Sequence, residues 1–304
     1  MTNDRTSDAP ARPRVAWFLL VGALSAVVGL LPWLTSGPFL PLQNLENTGD
    51  ASRQGPFVLL PYSQYQITTI IVLLVVGGVA AGIAARALGS RPGVRRGLAT
   101  VGGLALAQLV AIIQTTFVTA GLLQERLESV FYIVLLVAVA VVALAVSLFS
   151  ASLLSTAPRA GAGVALSIGA MATGIWIGSW MTLPFGFESP FSAILPIVSF
   201  LGPALVGVVI AWTGIGTAGQ IVAALVGLLL VWVVPALETA LASAAGTRVL
   251  AHSLPDMADY GVNVFFSALA LPDLTLRSLA ITIVVAIVGL VLRRWVVRRG
   301  DAAS

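Results

Sequence analysis

Eight apolar runs, at 15–34, 66–88, 98–123, 130–154, 164–183, 194–213, 218–237 and 274–296, constrain what this chain can fold into more than any other feature. Each is close to the about 20 helical residues that cross a ~30 Å hydrocarbon core, and far longer than a barrel strand needs to be. Backbone in lipid must satisfy its own hydrogen bonds, so the expected fold is an all-α polytopic membrane protein of about eight transmembrane helices. Charged residues make up only 9% of the chain, against about 25% in soluble globules, which excludes a soluble reading. The first run exceeds the ~7–15 residue apolar core of a signal peptide, and no small-x-small cleavage pattern follows it, so it reads as an uncleaved span.

All sixteen basic residues are Arg. This reads as the codon usage of a GC-rich bacterial genome, and it leaves no lysine for Schiff-base or P-loop chemistry. Basic residues in short loops stay on the cytoplasmic side. With the N-terminus inside, twelve arginines are cytoplasmic and only Arg53, Arg126, Arg248 and Arg277 lie outside. The expected location is therefore a bacterial cytoplasmic (inner) membrane with both termini in the cytoplasm. The basic pI comes from arginines that flank apolar runs, so nucleic acid is not an expected partner.

A short pattern occurs twice. Trp33, Thr35, Pro38 and Phe39 are followed by Pro56, Phe57, Pro61 and Ser63; Trp180, Thr182, Pro184 and Phe185 are followed by Pro190, Phe191, Pro196 and Ser199. Both copies sit where one apolar run ends and the next begins. Two readings stay open: an internal duplication, or the ordinary preference of Trp for membrane interfaces and of Pro-Phe for helix ends. Under duplication the chain divides into a tail at 1–14, helices one to four at 15–154, a linker at 155–163, helices five to eight at 164–296 and a tail at 297–304. The halves are then parallel four-helix repeats related by an axis along the membrane normal. Gly78/Gly82, Gly169/Thr173, Gly174/Gly178 and Gly207/Ala211 are pairs four apart, each a flat strip for close helix packing. Pro203 and Pro235 are expected to kink their helices.

Residues 238–273 read as the longest external segment. Within it, 254–270 is expected to form an external amphipathic helix before the last span, capped by Ser253, with Asp256, Asp259, Tyr260, Asn263 and Ser267 along one side. Ionisable groups at membrane depth are the default functional candidates, and Glu238 comes closest, with Glu125 or Glu128 as its counterpart in the first half. The candidate binding set is Glu238, Asp256, Asp259 and Asn263, lining an external vestibule, with Trp33 and Trp180 at the two Trp-Thr-Pro-Phe turns. The plainer reading of the acidic residues is a solvated face. Gln108 and Thr115 share a face of the third helix and either line a polar path or bond to a neighbouring helix. His252, the one histidine, reads as an ordinary loop residue.

With no Cys and one His, no zinc site assembles, and no metal or cofactor is expected. No phosphate loop with its Lys is present, so any ATP coupling requires a separate ATPase subunit. Three functions follow in order of preference. The first is a permease-type protein or transporter subunit for a small or lipophilic solute. The second is a non-catalytic subunit that assembles with a cell-envelope complex. The third is a lipid-modifying enzyme using Glu46 and Asp50. Beyond the lipid bilayer, the sequence names no partner, and it leaves the oligomeric state open.

Overall fold

A computed structural model describes residues 15–41, 55–88, 94–185, 189–247 and 253–303, and these are almost entirely helical. The elements are α1 (Val15–Ser36), α2 (Ile67–Leu88, entered through a 3-10 turn at Gln64–Gln66), α3 (Val94–Leu122), α4 (Leu127–Thr156) and α5 (Arg159–Thr182). They continue as α6 (Leu195–Val198), α7 (Leu201–Thr213), α8 (Ala218–Gly246), α9 (Leu254–Leu269) and α10 (Pro272–Ala303). Eight spans among the described residues are long and apolar enough to cross a membrane, one of them formed by α6 and α7 together. Their outward faces carry Phe117, Val142, Leu225 and Val284, each more than half exposed. Such a continuous apolar surface suits lipid and not water.

Two boundaries depart from the apolar pattern. The run 194–213 is not one helix: it is broken at Ser199 and Phe200, and Pro203 is the third residue of α7. The first turn of a helix has no intrahelical use for its N–H groups, so Pro203 is accommodated there and the break falls ahead of it. In contrast, α8 does not stop at residue 237. It runs through Pro235 and on to Gly246, so Glu238 lies within a helix and is not the start of a loop. The turn before α8 is tight, with Gly214 at φ +84° and Thr217 capping through Gln220 N.

α1 packs on α2 and α3, α2 on α3 and α4, and α3 on α4. The second half repeats these adjacencies: α5 packs on α7 and α8, α7 on α8 and α10, and α8 on α10. Small residues make the close approaches. Gly78 and Gly82 of α2 lie against Ser147 and Leu154 of α4, while Gly207 of α7 lies against Thr282 of α10, and Gly289 of α10 against Ala211. The two halves meet where α5 packs on α1, α2 and α4, with Trp176 Nε1 donating to Gly29 O at 2.8 Å.

The bundle has two distinct ends. At one, Trp33, Leu40, Val58 and Leu60 are buried together, with Trp176 and Leu183 packed on them, so both Trp-Thr turns lie at this end. Arginines gather at the other. Arg86 donates to Leu154 O and Ala157 O, Arg293 donates to Ala211 O and Trp212 O, and the guanidinium of Arg159 lies 5.0 Å over the Trp212 ring. Cations at the carbonyl ends of helices are favourably placed.

α9 turns back along α8. Gly261 lies against Ala244 and Ala240, and Trp232 Nε1 donates to Leu269 O at 3.4 Å. Met257, Val264, Phe265 and Leu269 are half-buried, while Asp256, Asp259, Tyr260, Asn263 and Ser267 are exposed. Ser253 Oγ accepts from Asp256 N. Glu46, Asp50, Arg248 and His252 lie outside the described residues.

Candidate functional site

A cavity of about 540 Å³ opens near the tryptophan end, between the start of α2, the second half of α5, α6 with the start of α7, α8 and α10. Its polar lining is mostly hydroxyl: Thr68 and Thr69 of α2, Ser179 and Thr182 of α5, and Ser278 of α10. Among the described residues of this lining, Glu238 of α8 is the one carboxylate, and Arg, Lys and His are absent. Most hydroxyls are committed to their own helices, as when Ser179 donates to Ile175 O and Thr239 to Pro235 O. Glu238 has no hydrogen bond or ion pair with any described residue.

The arrangement follows from local sequence. Gly174 lets α5 approach Gly202 closely, whereas a Cβ on Gly178 would meet nothing within 4 Å, so one turn later the helices part and the cavity begins. The break at Ser199 and Phe200 removes a stretch of helical wall on the same side. Glu238 is carried into the gap because α8 continues through Pro235.

The remaining candidates lie elsewhere. Trp33 is buried, and its Nε1 donates to Val58 O at 2.9 Å, fixing the chain after α1. Trp180 is over a third exposed and meets Trp176 edge to face at 5.8 Å; the rings do not stack flat. Neither lines the cavity. Asp256, Asp259 and Asn263 are exposed on α9 and are not brought together with Glu238. Gln108 is buried, with Nε2 donating to Leu74 O at 2.7 Å, while its Oε1 finds no partner.

Thr115 belongs to a clasp that no sequence pattern announces. Gln114 Oε1 accepts from Leu59 N (3.0 Å) and its Nε2 donates to Phe57 O (2.9 Å), while Thr115 Oγ1 accepts from Leu60 N (3.0 Å). Two adjacent side chains of α3 thus satisfy an extended stretch of backbone before α2. Tyr62 is sealed beneath it, and burial raises its phenol pKa, opposed by the hydrogen bond with Thr116. Thr115→Val, which leaves Leu60 N–H buried and unpaired, is expected to cost about 1–3 kcal/mol. Thermal denaturation in detergent checks this, and an unchanged midpoint would remove the clasp as a stabilising element.

Comparison with protein families, curated proteins and solved structures finds no match. The site must therefore be read from its own chemistry. Among the described residues no group of His, Cys, Asp or Glu is arranged to hold a metal ion. What the described residues of the cavity offer is one carboxyl group without a protein partner, a few hydroxyls and apolar walls from Met171, Ile175, Val198 and Val234.

Proposed function

We propose that this protein is a permease-type membrane protein that moves a small or lipophilic solute through the cavity at Glu238. The observation that carries the reading is the unpaired carboxylate in a gap between helices of both halves. Glu238 is half-buried and lies between helices without a protein partner, and ionisable groups placed within the spans are the default candidates for solute or ion paths. A volume of about 540 Å³ also falls within the ~300–1,000 Å³ of small-molecule sites.

The same reading takes the chain as two parallel four-helix repeats in a bacterial cytoplasmic membrane. The repeated helix adjacencies support the duplication, as does the matched packing of Gly78 on Ser147 and Gly207 on Thr282. A two-fold axis is not supported: it requires α1 to pack on α7 and α10 as α5 packs on α2 and α4, and neither is a packing pair. Arginines clustered at one end support placing that end, with both termini, in the cytoplasm. The cavity then opens outward.

A second reading has its own support. The exposed polar side of α9 suits contact with another subunit, and on that view the protein is a non-catalytic member that assembles with or stabilises an envelope complex. Native mass spectrometry of the protein taken from its own membrane in mild detergent separates the two, because a stoichiometric partner other than an ATPase is expected only on the second.

The permease reading is tested by uptake into proteoliposomes of three labelled solutes of similar size: butylguanidinium, butylurea and pentanoate. At least one is expected to enter faster than into protein-free vesicles, and Glu238→Ala is expected to weaken that uptake roughly tenfold, the equivalent of about 1.4 kcal/mol of binding. If no solute enters above background, the reading fails.

A further inference from the structure

Aligned on Gly103 and Gly227, α3 and α8 bring Leu104 onto Leu228 and Val110 onto Val234. Both glycines also face the first helix of their half, Gly103 against the Leu19 backbone of α1 and Gly227 against the Ser167 side chain of α5, the latter beside Val206 of α7 as well. In the same register Thr115 falls on Thr239 and Gln114 falls on Glu238. Glu125 and Glu128 follow the end of α3 and have no place opposite Glu238.

The two equivalent pairs do different things. In the first half Gln114 and Thr115 are filled by the chain itself, through Leu59 N–H, Leu60 N–H and Phe57 O. In the second half the described part of the preceding segment, 189–199, turns on itself and uses donors locally: Ile194 N bonds to Phe191 O, Val198 N to Ile194 O and Ser199 N to Leu195 O. None of these donors reaches Glu238. The position that elsewhere clasps a peptide faces a cavity.

The exchange of amide for carboxylate defines what fits there. Gln114 accepts one N–H and donates one. A carboxylate in its place loses the donor, gains a negative charge and presents two acceptor oxygens. The ligand that restores a clasp carries two N–H donors and a positive charge, the complement a planar guanidinium or amidinium offers in bidentate form. We infer that the Glu238 cavity binds an organic cation with at least two N–H donors on a short apolar body. The N–H groups take the place of Leu59 N–H in the first half, and the body lies along Ile175, Val198 and Val234. This deepens the permease reading and rests on it for transport, though not for binding.

The test is binding of three butyl compounds to purified protein, by calorimetry and by shift of the thermal midpoint. Butylguanidinium has charge and donors, butylurea has donors alone, and butyltrimethylammonium has charge alone. Butylguanidinium is expected to bind at least roughly tenfold more tightly than either of the others, and Glu238→Gln to abolish that preference. Equal binding of butylurea, or an undiminished preference in Glu238→Gln, overturns the inference. If Glu238→Gln fails to fold, the three-compound comparison on the native protein decides alone. Labelled uptake separates the two claims. Butylurea entering while butylguanidinium does not bind keeps a permease and removes the cation site. Butylguanidinium binding with no uptake of any compound keeps the site and removes the permease.

Discussion

Gly78→Leu is expected to lower the thermal midpoint of the purified protein by roughly 3–6 °C. A side chain at residue 78 runs into the backbone carbonyl and the hydroxyl of Ser147 in α4. A flexible neighbour yields to such a clash, but a helix backbone does not, so the helices must separate. Gly82, one turn on, then loses its seat against Leu154 and Ala151. Overpacking costs about 1–3 kcal/mol in ordinary cores, and the contact with backbone puts this site at the upper end or above. Helix propensity works the other way, since Leu is better than Gly by about 0.8–1.0 kcal/mol. The packing term is larger, so the sign is a loss. Gly121→Leu is the control, because a Cβ there meets nothing within 4 Å. A midpoint for Gly78→Leu equal to that of the control would mean that α2 and α4 are not held at this distance.

The spans are legible because lipid imposes one requirement on every residue of a helix, and mean hydropathy over about 20 residues reports it directly. Ends are less legible where hydropathy and helix formation diverge. Glu238 and Thr239 stop the apolar run, yet backbone hydrogen bonding does not depend on side-chain polarity, and Ala240, Ala242, Ala244 and Ala245 sustain the helix. At 194–213 the reverse happens: composition stays apolar across Ser199 and Phe200 while the backbone breaks. Glycines four apart mark flat strips, but sequence does not say which helix each strip meets. Nor does it distinguish Gly174, where a Cβ would run into Gly202, from Gly178, where a Cβ would meet nothing within 4 Å. The cavity itself draws on α2, α5, α7, α8 and α10, an arrangement no local pattern encodes. The pairing of Gln114 with Glu238 inferred above from the proposed repeat involves positions that a reading by charge does not join. Likeness of charge pairs Glu238 with Glu125 or Glu128, whereas helix register pairs it with an amide.

Gly178→Leu is expected to produce the opposite pair of effects from Gly78→Leu: function lost, stability kept. The new side chain enters the cavity from the α5 wall, touching no other part of the protein at its Cβ. Folding then feels mainly helix propensity, which favours Leu by about 0.8–1.0 kcal/mol, so the thermal midpoint should stay level or rise slightly. Ligand binding feels the isobutyl group, which occupies the space between the Ser179 side of α5 and Glu238 where a solute body must lie. Butylguanidinium binding and uptake are expected to fall by roughly tenfold or more, equivalent to about 1.4 kcal/mol. Gly178→Ala, which adds only one carbon, should fall between the native protein and the leucine variant. Graded loss across Gly, Ala and Leu at constant stability is difficult to produce unless the cavity is the binding site, because a substitution acting through the fold would move the midpoint as well. Undiminished binding in a folded Gly178→Leu protein would place the solute elsewhere and leave Glu238 a carboxylate without a ligand.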